Sequence, residues 1–191
     1  SVDSDTYDDV AFVDDGGSSV DVGDRVFGVS DVRPLIFAPA GEASGPVVGL
    51  VPSATDSTGT GCLVGDYGAL PDDAIVLVGP GECLRRDQVI AAQRAGAAGF
   101  VAVSPKVPPG VVLRPTLIDP RDLSIPAAAV SQGAAEALVA AAEDGEPARL
   151  VTDAHTEQAQ TRTVLAELPG SADGQVIMLG AHLDSVIDGP G

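Results

Sequence analysis

The stretch from Ala74 to Ser104 constrains this chain more than any other. Ala74-Ile-Val-Leu-Val78 is short, β-branched and uninterrupted, the pattern of a central strand. Arg86 to Ala98 follows. Val89, Ile90 and the alanines at 91, 92, 95 and 97 predict a helix with a small-residue face. Asp87 stands in its first turn, where the helix dipole favours an anion, and Gly96 and Gly99 end it. Gly99-Phe-Val-Ala-Val-Ser104 then reads as a second strand. Strand, helix and strand joined by short links read as a crossover unit with parallel strands.

Other elements frame this unit. Leu35-Ile36-Phe37 and Val47 to Val51 are compact apolar runs bounded by Pro and Gly, and read as buried strands. Residues 53–61 form a polar loop, and residues 105–124 are Pro-rich and irregular. Ile125 to Val130 predicts a strand, Gly133 to Asp144 an Ala-rich helix closed by Gly145, and Ala148 to Thr152 another strand. Thr163–Leu168 and Val176–Leu179 read as a hairpin-like pair. Upstream, residues 1–31 carry nine acids and one base, Arg25. Val20-Asp21-Val22 and Val26–Val29 are short β signals there, broken by Asp15-Gly16-Gly17 and Gly23-Asp24. This segment predicts exposed β structure, with disorder over Ser1–Thr6.

Charge narrows the partners. The chain has 28 acids against 10 bases, a net charge of −18, and would repel nucleic acid and anionic membranes. A 45% hydrophobic content is too high for a disordered acidic tail. At 3% aromatic, neither an aromatic cage nor a base-stacking platform is expected. No apolar run reaches the roughly 18 residues of a membrane span. The acids over 3–15 lack the pattern of a calcium loop and read as a solvated strand or tail.

Two cysteines, Cys62 and Cys83, flank the strand at 74–78, one in the loop before it and one in the turn after it. No CxxC or nearby His suggests a metal site. If the loop folds back they can meet, and a disulfide closing such a loop would stabilise by roughly 3 kcal/mol. Two free thiols of a cytosolic protein are the alternative. The disulfide is the favoured reading, and with it export to the cell surface or medium. The histidines are His155 and His182. His155, with Asp153 and Glu157 at two-residue spacing, reads as part of a solvated linker. His182 lies just past the apolar run Val176–Ala181, where open α/β sheets place ligands. A neutral imidazole suits zinc, and Asp184 could accept its other ring N–H.

Gly61-Cys62, Asp66-Tyr67, Ala74–Val78, Gly81-Glu82-Cys83 and Gln88–Gly99 together resemble the protease-associated domain, over residues 35–153. Ile125-Pro126 and Gly133–Ala142 keep that family's order. Where the family often carries an aromatic and a lysine after the second Cys, Arg85 and Gln88 stand. The resemblance implies an α+β fold of the swivelling β/β/α type: a β-sandwich or open barrel flanked by two helices, expected on one side, with extended N- and C-terminal segments. Thr163-Val-Leu-Ala-Glu-Leu-Pro-Gly170, Val176–Ser185 and Gly189-Pro-Gly191 resemble the opening of the catalytic domain of secreted two-zinc aminopeptidases.

These likenesses imply four regions. They are an acidic β-rich segment over 1–34, the protease-associated domain over 35–153, a linker over 154–162, and first strands of a truncated zinc peptidase domain over 163–191. By resemblance His182 binds one of two zincs and Asp184 orients it. The bridging Asp, the catalytic Glu and the remaining ligands would lie downstream. The chain alone is therefore expected to be inactive. Its partner is the parent enzyme's peptide or protein substrate. The tail strands are expected to be disordered, packed on the domain, or paired with another copy. A free-standing interaction module, or the same domain in a subtilisin-like protease or sorting receptor, is the alternative. Residues 163–191 argue against it.

Overall fold

The computed structural model describes residues 2–50, 60–103, 108, 111–170 and 177–181. At its centre lie three parallel strands, β6 (Ile75–Val78), β7 (Gly99–Val103) and β8 (Ala127–Val130), with every residue buried. Ile75 pairs with Gly99 and Phe100 with Ala127. Side chains alternate between two cores. Ile75, Leu77, Val101 and Val130 meet Ala134, Leu138 and Ala141 of helix α2 (Gln132–Asp144). Val76, Val78, Phe100 and Ala129 meet Val89 and Ala92 of helix α1 (Arg85–Arg94). The two helices thus cover opposite faces, not one side. Strands apolar on both faces expose one of them to water unless each has its own cover.

The full sheet has eight strands in the order β3-β2-β9-β5-β6-β7-β8-β4. Strand β5 (Gly41–Leu50) joins its two halves. Gly41 to Pro46 pair antiparallel with β9 (Pro147–Thr152), and Val47 to Leu50 pair parallel with β6. Only glycine fits at Gly45, where a Cβ would lie 2.2 Å from the Asp73 carbonyl oxygen. Beyond β9 run β2 (Ser19–Val22) and β3 (Arg25–Phe27), both antiparallel to their neighbours. At the other edge β4 (Val32–Pro34) pairs antiparallel with β8. Val20 and Val22 of β2 share a core with Val32 of β4, so the sheet curls into a nearly closed barrel. The expected α+β open barrel with two helices is present.

Several details differ from the sequence reading. Strands β2, β3 and β4 all precede residue 35, so the barrel recruits part of the acidic segment. The strand expected at Leu35–Phe37 stands at Val32–Pro34 instead. The Leu35 amide still donates to Ala127 O, but the Ala38 amide turns back to Leu35 O and Phe37 takes φ +73°. Val2–Thr6 are strand, not disordered.

The chain divides into two compact units, Asp9–Ala159 and Ser1–Asp8 with Gln160–Gly191. A two-stranded sheet pairs β1 (Val2–Asp14) with β10 (Ala154–Ala166). Residues 154–162, read as a linker, lie inside β10. Among the described residues the expected hairpin of Thr163–Leu168 with Val176–Leu179 is not seen, and Val176 lies outside them. Thr163–Ala166 belong to β10, and Ile177–Leu179 are exposed and not in a strand. Strand β1, as long as β10 at thirteen residues, offers Thr163–Ala166 a partner within this sheet.

Candidate functional site

Parallel strands direct their following loops to one edge of the sheet, and that edge is the usual place for function. Here Val78 of β6 leads into Gly79-Pro-Gly-Glu-Cys83 and then α1. Cys83 is joined to Cys62 by a disulfide, with Cα atoms 5.9 Å apart. The cysteines picked out by their position on either side of β6 do meet.

Beneath the disulfide sits a polar plug. Gln88, almost completely buried on the first turns of α1, donates from Nε2 to the carbonyls of Thr60 and Gly79, the latter at 3.2 Å. Its Oε1 accepts from Arg85 Nη1 at 2.6 Å, and the same nitrogen donates to Gly79 O at 3.0 Å. The Tyr67 hydroxyl lies 3.0 Å from Gly61 O and 2.9 Å from Gln88 O. Gly81 closes over the plug: a Cβ there would meet Gln88 Nε2 at 2.6 Å and Thr60 O at 2.9 Å. Burial, reinforced by the Asp66 charge, pushes the Tyr67 phenol well above its ordinary range, so it stays protonated. Burial also pulls Arg85 below an ordinary guanidinium.

This cluster offers no nucleophile and no base near neutrality. Its thiols are bonded to each other and its phenol keeps its proton. What it does is tie Thr60–Cys62 to the turn between β6 and α1. Leu63 and Leu84, each one residue past a cysteine, project from them with relative exposures of 69% and 59%. Both occupy helix N-cap positions, Leu63 for a 3-10 turn over Val64–Tyr67 and Leu84 for α1, where a polar side chain would be favoured.

A second cluster lies around the turn after β1. One oxygen of Asp14, Oδ2, accepts from Arg33 Nε at 2.9 Å and from Arg114 Nη1 at 2.8 Å. Arg114 stacks over Phe12, 5.7 Å from its centroid, and Phe12 meets Phe37 edge-on. Burial, then the neighbouring Arg33 charge, pulls Arg114 below an ordinary guanidinium, against the pull of Asp14. One residue on, Asp15 Oδ2 is 2.7 Å from His155 Nδ1. The bond to Asp15 raises the His155 pKa above its ordinary value, and the charges of Asp15, Glu157 and Asp153 add to this. Asp153 itself accepts from the Gly17 amide at 3.0 Å. His155 thus clips a turn to the first residues of β10 rather than standing in a loose linker.

His182 and Asp184 lie outside the described residues. Among the described residues no three His, Cys, Asp or Glu side chains come together as a metal site. No described helix is long and apolar enough to cross a membrane. Sequence reasoning missed Arg85, Gln88 and Tyr67 as a unit, and the sharing of Asp14 by two arginines. The one available signal was the pair Arg85 and Gln88 at the place where an aromatic and a lysine were expected.

The family model for the PA domain matches residues 43–138. This chain belongs to the PA domain family. The PA domain found here is similar to “Probable lipoprotein aminopeptidase LpqL” of Mycobacterium tuberculosis, 32% identical over 157 residues. That match covers 80% of this chain and 29% of the relative. It is also similar to an aminopeptidase of Pseudomonas aeruginosa, 27% identical over 172 residues, covering 84% and 30% respectively. The chain therefore spans less than a third of these relatives' length. Among solved structures, the aminopeptidase of Aneurinibacillus sp. strain AM-1 superposes with a TM-score of 0.71 at 16% identity, over 91% of this chain and 40% of that one. A zinc aminopeptidase of Bacillus subtilis superposes with a TM-score of 0.56 at 16% identity, over 84% and 36%. At these identities the structural likeness speaks for the fold of the PA domain alone.

Proposed function

We propose that this PA domain belongs to a secreted two-zinc aminopeptidase, where it is non-catalytic and shapes substrate access or engages protein segments. One observation carries the reading: similarity to aminopeptidases extends over 80% or more of the chain, beyond the 43–138 family match and into its flanks. Under this reading His182 is a ligand of one zinc in the whole enzyme, and Asp184 accepts the other ring N–H. When bound, zinc supplies Lewis acidity and a water activated near neutral pH. The part of the PA domain is structural: Gln88, Tyr67 and the disulfide hold Leu63 and Leu84 in fixed positions at the loop edge. The disulfide suits an oxidising compartment, which supports export.

The test is hydrolysis of an aminoacyl chromogenic substrate with added zinc. The whole protein carrying this segment is expected to turn it over, and His182→Ala is expected to abolish turnover. The 191-residue chain alone is expected to give none above its own His182→Ala control. A whole protein without zinc-dependent aminopeptidase activity overturns the parent assignment. Turnover by the chain alone overturns the non-catalytic role.

A further inference from the structure

The charge of this chain is unevenly distributed. Acids outnumber bases 28 to 10, yet from Gln88 to Ile118 there is no acidic residue. Within that stretch Arg114 meets Arg33, and the two guanidiniums share a single carboxylate oxygen. The other Asp14 oxygen accepts from the Gly16 amide at 3.1 Å, so one carboxylate charge faces two guanidiniums. The bonds described use one N–H of each guanidinium of the five it carries. A local surplus of positive charge therefore stands in a molecule of net −18.

Apolar residues flank Arg114 along the chain. In the segment after residue 110, Val112 and Arg114 turn partly inward while Val111 and Leu113 point out. Leu113 and Ile118 are each 53% exposed. Ile118 is held outward at φ +74°, a left-handed conformation a β-branched residue rarely takes. The surroundings enforce it. The Leu117 amide donates to Ile36 O, and Arg86 donates to the carbonyls of Leu117, Asp119 and Arg121. Strain kept in place beside exposed aliphatic side chains and surplus charge marks a surface shaped for contact.

We infer that the surface formed by Arg33, Arg114, Val111, Leu113 and Ile118 binds an extended acidic peptide segment with aliphatic residues next to its carboxylates. The carboxylate offsets the repulsion between the two guanidiniums, and the aliphatic side chains cover Leu113 and Ile118. Complementarity of charge selects this occupant. A basic peptide is repelled by the same two guanidiniums. The inference deepens the reading of the PA domain as an element that engages protein segments, and rests on it.

The probe is a fluorescein-labelled peptide of sequence Ala-Leu-Asp-Leu-Glu-Leu-Ala, followed by anisotropy with the 191-residue chain. Its Gln/Asn counterpart is the control. Binding is expected for the acidic peptide, weakening with added salt as screening rises. Arg114→Gln is expected to weaken it about tenfold, the loss of one charge-assisted bond. It leaves Asp14 paired with Arg33. Leu113→Ser is expected to weaken binding about threefold without touching the charge cluster. Amide shift mapping on the unaltered chain is expected to confine changes to residues 111–118 and their neighbours. Absent binding, equal binding of the uncharged peptide, or shifts centred elsewhere each overturn the proposal. Zinc-dependent turnover by the whole protein is measured separately, so a peptide that fails to bind leaves the aminopeptidase reading standing.

Discussion

Beneath Cys62–Cys83 the chain is held by a covalent link and by buried, mostly uncharged hydrogen bonds, whereas around Asp15 it is held by exposed charges. Gln88 is almost completely buried, so each lost partner leaves an unsatisfied group in a low-dielectric interior. His155 and Asp15 are both well exposed, and water competes for each of them. The difference teaches where this fold keeps its rigidity. The plug is expected to be costly to break and indifferent to salt, the turn cheap to break and responsive to pH.

The comparison is broken most directly at Gln88. Gln88→Ala strands the Thr60 carbonyl, takes one acceptor from Arg85, leaves Gly79 O to Arg85 alone and opens a cavity, and is expected to cost about 4 kcal/mol in urea unfolding. A loss under about 1 kcal/mol would rank the plug with ordinary surface pairs. Next is the paired change Cys62→Ser with Cys83→Ser. Freeing this loop is expected to cost about 3 kcal/mol, equally at low and high salt. Tyr67→Phe keeps the ring and removes one hydroxyl shared by two carbonyls, for an expected loss of about 1–2 kcal/mol.

The smallest effect belongs to the turn. The His155 pKa is raised on folding, so its stabilisation is present in full below the unfolded value, about 6.5. It is lost as pH rises through the higher folded value. Proton NMR resolves the two histidine rings, with His155→Gln assigning them. One ring is expected to titrate above the ordinary range, and Asp15→Asn is expected to lower it toward that range. A His155 that titrates normally would show that this contact does not hold the turn.

Much of the barrel was legible in the residues. Ile75–Val78, Gly99–Val103 and Ala127–Val130 announced themselves as short apolar runs between turn residues. The second helix is marked at both ends, by Ser131, which accepts from the Ala134 amide, and by left-handed Gly145. The cysteines were legible as a pair because both flank one strand. Strand β5 was half hidden, since Gly41 to Pro46 hold small residues and a proline that carry no strand signal. The plug was illegible because a buried glutamine on a helix looks like a solvated one until its partners are known.

The sequence by itself determined the elements of the crossover unit and their order, the second helix, the excess of negative charge and the place where two cysteines could meet. Those properties live in spacing and turn chemistry over a few residues. Only the tertiary structure decided that the helices take opposite faces of the sheet, that β1 pairs with β10, and that Arg33 and Arg114 converge on Asp14. Each of these joins residues far apart in the chain. Their pairing depends on which surfaces remain uncovered once the parallel strands have packed, and no local pattern records that.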